Sequence, residues 1–157
     1  MQRRLMAGLA ALALAACGGD KPADQPPADS PAPATGEPTP APAAGGTHTV
    51  NMVLEGTAYK FVPAALTVNA GDQVVFKSVS GGPHNVQFFA DSMPPAAIPT
   101  LLAAMAAAGD QLDSLSGPLK MDGEDYNLSF AGAVAGTYKI TCTPHQAMNM
   151  NMVITVQ

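Results

Sequence analysis

The sequence predicts an all-β domain, an antiparallel sandwich of seven or eight short strands with one short helix inserted between them. Three observations carry that prediction. Val50, Met52 and Leu54 alternate with Thr49, Asn51 and Glu55, the period of a strand with one buried face. Similar short runs rich in Val, Ile, Thr, Tyr and Phe recur through the C-terminal two thirds of the chain, separated by turn residues. Glycine and proline together supply 30 of the 157 residues, too many for a helical bundle.

Taken in order, the strand-forming runs after the first are Tyr59–Val62, Leu66–Asn69, Gln73–Ser78, Asn85–Phe89, Tyr126–Phe130, Thr137–Cys142 and Met150–Val156. Val53 is the one break in the first run's alternation. Asn69-Ala70-Gly71-Asp72 marks a turn, and Gly136 punctuates the chain just before Thr137. Ile98, Leu101, Leu102 and Met105 instead follow i, i+3, i+4, i+7 spacing, with Pro99 near the start and Gly109 after the end. That pattern predicts a helix over about 97–108 whose apolar stripe packs on the edge of the sandwich.

The N-terminal segment has a different character. Arg3 and Arg4 precede a 12-residue apolar run, Leu5 to Ala16. The run is shorter than the roughly 20 residues a permanent membrane helix needs, and it has the form of an export signal. Residues 18–46 hold eight prolines in 29 positions with almost no bulky side chain, so nothing offsets the entropy lost on ordering them. A disordered linker is expected there. The domain is then residues 47–157, with four Lys and eight acidic residues, a net of −4 within a chain of −5. Such a balance lacks the basic footprint of a nucleic-acid binder.

The stretch Leu14-Ala15-Ala16-Cys17-Gly18 resembles a bacterial lipobox. That resemblance implies a signal peptide over 1–17, lipidation of Cys17 as the mature N-terminus, and an exported, periplasmic protein anchored to a membrane. Gly18 after the cysteine favours the outer membrane in a Gram-negative host. Of the two cysteines, only Cys142 would then remain as a thiol, in a compartment where thiols normally pair. A lone exported cysteine is buried and inert, joined to another chain, or held by a metal.

The chemistry gathers around it. Cys142-Thr143-Pro144-His145-Gln146-Ala147-Met148-Asn149-Met150 puts a thiolate at a strand end, an imidazole three residues later, and thioethers three and five residues beyond that. His84, in Gly81-Gly82-Pro83-His84-Asn85, is a second imidazole that a neighbouring strand could bring alongside. One thiolate, two imidazoles and a thioether form the mixed soft and borderline donor set of a blue-copper electron-transfer site, a His2Cys plane with a weak axial Met. Thiolate and thioether suit Cu(I), while imidazole serves both oxidation states. His48 has no matching motif and reads as an exposed strand residue. Asp122, Glu124 and Asp125 read as a solvated loop.

The Cys142–Met150 segment, followed by a Val/Ile strand, closely resembles the copper loop of the plastocyanin and pseudoazurin family. Ala70-Gly71-Asp72, Val74-Val75-Phe76, Gly81–Val86 and Gly136-Thr137-Tyr138 extend the resemblance over most of residues 48–156. It implies a cupredoxin-like Greek-key sandwich binding one copper ion that cycles between Cu(I) and Cu(II). The implied ligands are His84, Cys142, His145 and Met150, the last chosen over Met148 by its place five residues after His145. Pro83 and Asn85 would support them, the Asn85 backbone N–H bonding the Cys142 sulfur. The resemblance further implies a monomer that exchanges electrons through an exposed His145 ring edge flanked by Pro144 and Ala147. Its partners would be redox proteins such as a c-type cytochrome or a membrane oxidase or reductase. The chain departs from smaller family members in its longer stretch between His84 and Cys142. Copper storage or delivery through Met148, Met150 and Met152 is the alternative. An enzyme is not expected: a Cys-His nucleophile would need an orienting group and an oxyanion site, and a copper oxidase would need more than three His.

Overall fold

The computed structural model describes residues 45–109 and 111–157. The expected signal segment, Cys17 and the linker up to residue 44 lie outside these described residues. Eight strands and one helix follow in order: β1 Thr47–Glu55, β2 Ala58–Val62, β3 Ala65–Val68, β4 Gln73–Ser78, β5 Gln87–Phe88, α1 Ala97–Ala108, β6 Asp125–Ser129, β7 Gly136–Thr141 and β8 Asn151–Val156. They form two four-stranded sheets, β2-β1-β4-β6 and β3-β8-β7-β5.

Each sheet mixes antiparallel pairs with one parallel pair. β1 and β2 form a hairpin, with Leu54 opposite Tyr59. The chain then leaves for the second sheet as β3, which lies parallel to β8. It returns as β4, parallel to β1 from Thr47 opposite Gln73 to Met52 opposite Ser78. The excursion through the other sheet is what turns β4 to run with β1 rather than against it. The strand alternation read from the sequence thus locates the elements, while the parallel pairs come from the crossovers between sheets.

The two inner faces close on a single core. Val50, Met52, Phe61, Val74, Phe76 and Leu128 come from the first sheet, and Val68, Phe88, Tyr138, Ile140, Ile154 and Val156 from the second; all are buried. Each such side chain contributes about 1.5–3 kcal/mol by leaving water. Phe61 meets Phe76 edge-on at 6.5 Å, and Phe88 meets Tyr138 likewise at 6.5 Å, the geometry that the ring quadrupole favours. The Tyr138 hydroxyl donates to the Val134 carbonyl at 2.6 Å, so its polar end is satisfied inside the core.

α1 packs against β6. Ala97, Leu101 and Met105 are its buried residues, whereas Ile98 and Leu102 are half-buried. The apolar stripe is therefore centred on an i, i+4, i+8 row. Gly109 ends the helix at φ 123°, a conformation natural to glycine. The expected strand at Asn85–Phe89 is reduced to two residues. Its preceding positions pair with the segment returning from the helix: His84 and Lys120 exchange backbone hydrogen bonds at 2.9 and 2.7 Å, and Gly117 N–H donates to Val86 O at 2.9 Å.

At the start of β1, Asp72 gathers three donors. Its carboxylate accepts from Gly46 N–H at 2.7 Å, Asn69 N–H at 2.9 Å and the His48 ring at 2.7 Å. These bonds, led by the one from Asn69, hold its pKa below the ordinary aspartate value. His48 is thus not the freely exposed residue its isolation in sequence suggested. It is half-buried and paired with Asp72.

Candidate metal centre

Three segments meet at the far end of the sandwich. His84 lies in the loop after β4, Cys142 directly follows β7, and His145 sits in the short 3-10 turn Thr143–Met148. Pro144 occupies the first turn, where its missing N–H costs nothing. Asn149 closes the turn in the left-handed region, φ 59°, with its N–H on Gln146 O at 3.0 Å. Asn tolerates that conformation better than most residues, and the reversal delivers Met150 to the start of β8. Cys142 N–H donates to Met150 O at 3.0 Å, and Met150 N–H to His145 O at 3.3 Å. The loop is therefore closed on itself across its base.

The donor atoms converge. Cys142 Sγ lies 3.6 Å from His84 Nδ1 and 3.3 Å from His145 Nδ1. One donor from each residue falls within 4.8 Å of the others, and all three residues are buried. The His84 Nε2 atom faces Ser80 O at 3.0 Å. A proton on Nε2 leaves the Nδ1 lone pair free to ligate, the usual way in which an outer partner sets the tautomer of a ligating histidine. Met150 is completely buried, while Met148 is half exposed at 51%.

Asn85 staples the two ligand-bearing loops. Its Oδ1 accepts from Thr143 N–H at 2.7 Å, and its Nδ2 donates to Ser116 Oγ at 2.9 Å and to Thr143 Oγ1 at 3.2 Å. The His145 backbone N–H donates to the Cys142 carbonyl at 3.1 Å. Burial pushes the Cys142 thiol up, partly offset by the nearby backbone N–H groups of Asn85 and His145. Burial likewise pushes the His145 imidazole down, helped by the neighbouring His84, so the ring favours the neutral form a metal requires. The donor set fits copper in chemistry and in closeness.

One expectation is corrected here. His145 is buried more deeply than an exposed ring edge implies: the residue as a whole is 7% exposed. Tyr59 in β2 lies flat against it, with ring centroids 3.7 Å apart and planes 11° from parallel. Pro144 and Ala147 are exposed around it as anticipated. Nothing in the run Ala58–Val62 marks Tyr59 as part of the site; it read as a strand residue. Only the β1–β2 register, which sets Tyr59 opposite Leu54, brings it over the loop. Pro83 adjoins His84 in the same loop and is half-buried.

The sequence profile described as copper binding proteins, plastocyanin/azurin family, matches residues 48–157. A plastocyanin from Ginkgo biloba is 38% identical over 107 residues, covering 68% of this chain and 97% of its own length. A plastocyanin from Scenedesmus fuscus is 36% identical over 109 residues, covering 69% and 98%. Among solved structures, plastocyanin from Dryopteris crassirhizoma superposes with a TM-score of 0.52 at 32% identity, covering 69% of this chain and 99% of its own.

Proposed function

The chain belongs to the plastocyanin/azurin family of copper-binding proteins, and from that premise we propose that it is a type 1 blue-copper electron carrier using His84, Cys142, His145 and Met150 as ligands. The observation that carries the assignment is the buried convergence of one thiol and two imidazoles within 4.8 Å. Copper bound there supplies a one-electron couple. The protein's part is to hold the donors in one arrangement for both oxidation states. Asn85 ties the two loops, Ser80 O holds the His84 ring, and the bonds between Cys142, His145 and Met150 keep the loop closed. A rigid site that need not rearrange exchanges electrons at a lower reorganisation cost.

The test is direct. Cu(II) added to the metal-free protein is expected to give the intense visible charge-transfer band of a copper–thiolate bond, and Cys142→Ser to abolish it. A colourless wild type, or colour that survives loss of Cys142, overturns the assignment. The copper-storage alternative would need the three thioethers gathered as one accessible cluster. Their burial argues against it: Met150 and Met152 are buried while Met148 is half exposed.

The proposal extends to the cellular setting. The carrier is exported, lipid-anchored through Cys17, and meets redox proteins such as a c-type cytochrome or a membrane oxidase or reductase outside the cytoplasm. The order of cationic start, short apolar run, lipobox-like segment and proline-rich linker supports this reading. Mass spectrometry of the mature protein is expected to find a lipidated cysteine at position 17 as its first residue. An unmodified N-terminus elsewhere refutes the anchor. The role as an electron carrier rather than an enzyme is part of the same proposal, since a cluster of donors that passes one electron needs no substrate pocket.

A further inference from the structure

Asp122, part of a solvated loop by its sequence context, lies against the loop that carries His84. We propose that Asp122 is a positioning residue for the metal centre: its carboxylate closes the loop after β4 and so holds the Ser80 carbonyl against the His84 ring. The inference rests on the carrier reading above and adds to it the group that orients one ligand.

The geometry centres on one oxygen. Asp122 Oδ1 accepts from Ser78 Oγ at 3.4 Å and from Gly82 N–H at 2.9 Å, so it bonds the loop on either side of Ser80. The approach is close: a Cβ at position 82 would stand 2.9 Å from that oxygen and 3.3 Å from Lys120 O. Between the two bonds the chain passes through Gly81, at φ +80°, and then Gly82. Successive glycines leave a chain its widest conformational freedom, so this turn needs an outside anchor. A hydrogen bond to a carboxylate is about twice as strong as one between neutral groups. From the other side, Ser80 Oγ accepts from Leu54 N–H at 3.1 Å. Ser80 is thus held from two directions, and its carbonyl lies 3.0 Å from His84 Nε2.

The backbone around Asp122 is itself fixed to this segment. Gly123 N–H donates to Ser78 O at 2.7 Å, Ser78 N–H to Glu124 O at 2.9 Å, and Lys120 exchanges its two bonds with His84. The carboxylate therefore reaches the loop from a firm base. The lysine ion pairs among the described residues join Lys60 to Glu55 and Lys77 to Asp125, which leaves the Asp122 oxygen to the loop. The consequence falls on the imidazole. With Ser80 O in place, the ring carries its proton on Nε2 and offers Nδ1, which faces Cys142 Sγ at 3.6 Å. With the turn released, the ring divides between its two tautomers, and the share protonated on Nδ1 cannot ligate through that atom.

The test uses the full chain and the variants Asp122→Ala, Asp122→Asn and Glu124→Ala. Glu124→Ala is the control, because it removes the acceptor of Met121 N–H at 2.7 Å in the same loop and leaves the Asp122 side chain in place. On metal-free protein in alkaline buffer, the ring-nitrogen chemical shifts of His84 report which nitrogen carries the proton. Wild type, Glu124→Ala and Asp122→Asn, which keeps the acceptor oxygen, are expected to show Nε2 alone. Asp122→Ala is expected to show both tautomers. In competition with a Cu(I) chelator, Asp122→Ala should bind copper about threefold more weakly, less than the roughly tenfold that loss of a direct partner of a ligating histidine brings, and Asp122→Asn should restore the affinity. An Asp122→Ala variant that keeps either Nε2 alone or wild-type affinity overturns the proposal. So does an Asp122→Asn variant that behaves as Asp122→Ala does. A tautomer change in Glu124→Ala equal to that in Asp122→Ala overturns it too, because loop stability alone then sets the ring. A wild type with no copper–thiolate band is a different failure: it sinks the carrier reading, and with it the role of Asp122 at a metal.

Discussion

Replacing Asn85 with alanine offers the sharpest test of how the two ligand loops are joined. The substitution removes three side-chain hydrogen bonds, to Thr143 N–H at 2.7 Å, Ser116 Oγ at 2.9 Å and Thr143 Oγ1 at 3.2 Å. Each such bond contributes about 1 kcal/mol net, and a buried partner left unsatisfied adds to the loss. Ser116 is buried and would lose its Asn85 partner, whereas Thr143 is exposed and can turn to water. The expected cost is about 2–4 kcal/mol. For a domain of this size that lowers the melting temperature of the metal-free protein by roughly 10–15 °C. Asn85→Ser, which keeps a hydroxyl but cannot span both partners, should fall between. The assay is a thermal melt followed by circular dichroism, paired with the visible band after Cu(II) is added. An alanine variant melting within about 2 °C of wild type would refute the reasoning, since the staple would then carry no load.

Three further outcomes follow from the packing and the titratable groups. The Tyr126 hydroxyl is buried without a hydrogen-bond partner among the described residues, and burial pushes its pKa up to about 12; Tyr126→Phe is expected to be neutral or to stabilise by about 1 kcal/mol in urea denaturation, and a loss of that size would show that the hydroxyl has a partner. Asp72 has a lowered folded-state pKa, so its stabilisation is present above the unfolded aspartate value and fades as pH falls through the folded one. Asp72→Asn should accordingly flatten the acid limb of the urea midpoint against pH, and an unchanged limb would contradict the clamp. Met105 in α1 is fully buried and Met121 is 57% exposed, so Met105→Ala should cost about 2–5 kcal/mol and Met121→Ala under about 0.5; equal effects would mean that the helix does not pack as described.

Local periodicity and spacing made much of this legible. Gln73–Ser78 reads as a strand from its own residues and is one to the residue, because alternation there reflects a buried inner face. The helix was readable from Leu101 and Met105 for the same reason at another period. Within the site, Cys142, His145 and Met150 lie on one loop, so their proximity follows from chain geometry. What escaped were the features that depend on which strands become neighbours. The shortening of β5 arises because His84 and Val86 spend their backbone groups on Lys120 and Gly117. The pairing of His48 with Asp72 spans 24 residues, and the Tyr59 stack on His145 spans both sheets of the sandwich. Neither leaves a local trace, since an aromatic or a histidine in a strand looks the same whether or not a partner arrives from elsewhere.

The clamp at Asp72 also decides how the molecule can be handled. It secures Gly46 and the first residues of β1, while Leu54, seven positions further along the strand, lies beside Ser80 and Tyr59 at the other end. At the rise of a β-strand that separation is about 23 Å. A fusion partner, a bead or an electrode surface attached ahead of Gly46 would therefore sit away from the Tyr59 face. Immobilised through its N-terminus, the domain should stand with its candidate metal centre turned outward. Attachment through the loop at Pro144 or Ala147 would instead press that face against the support.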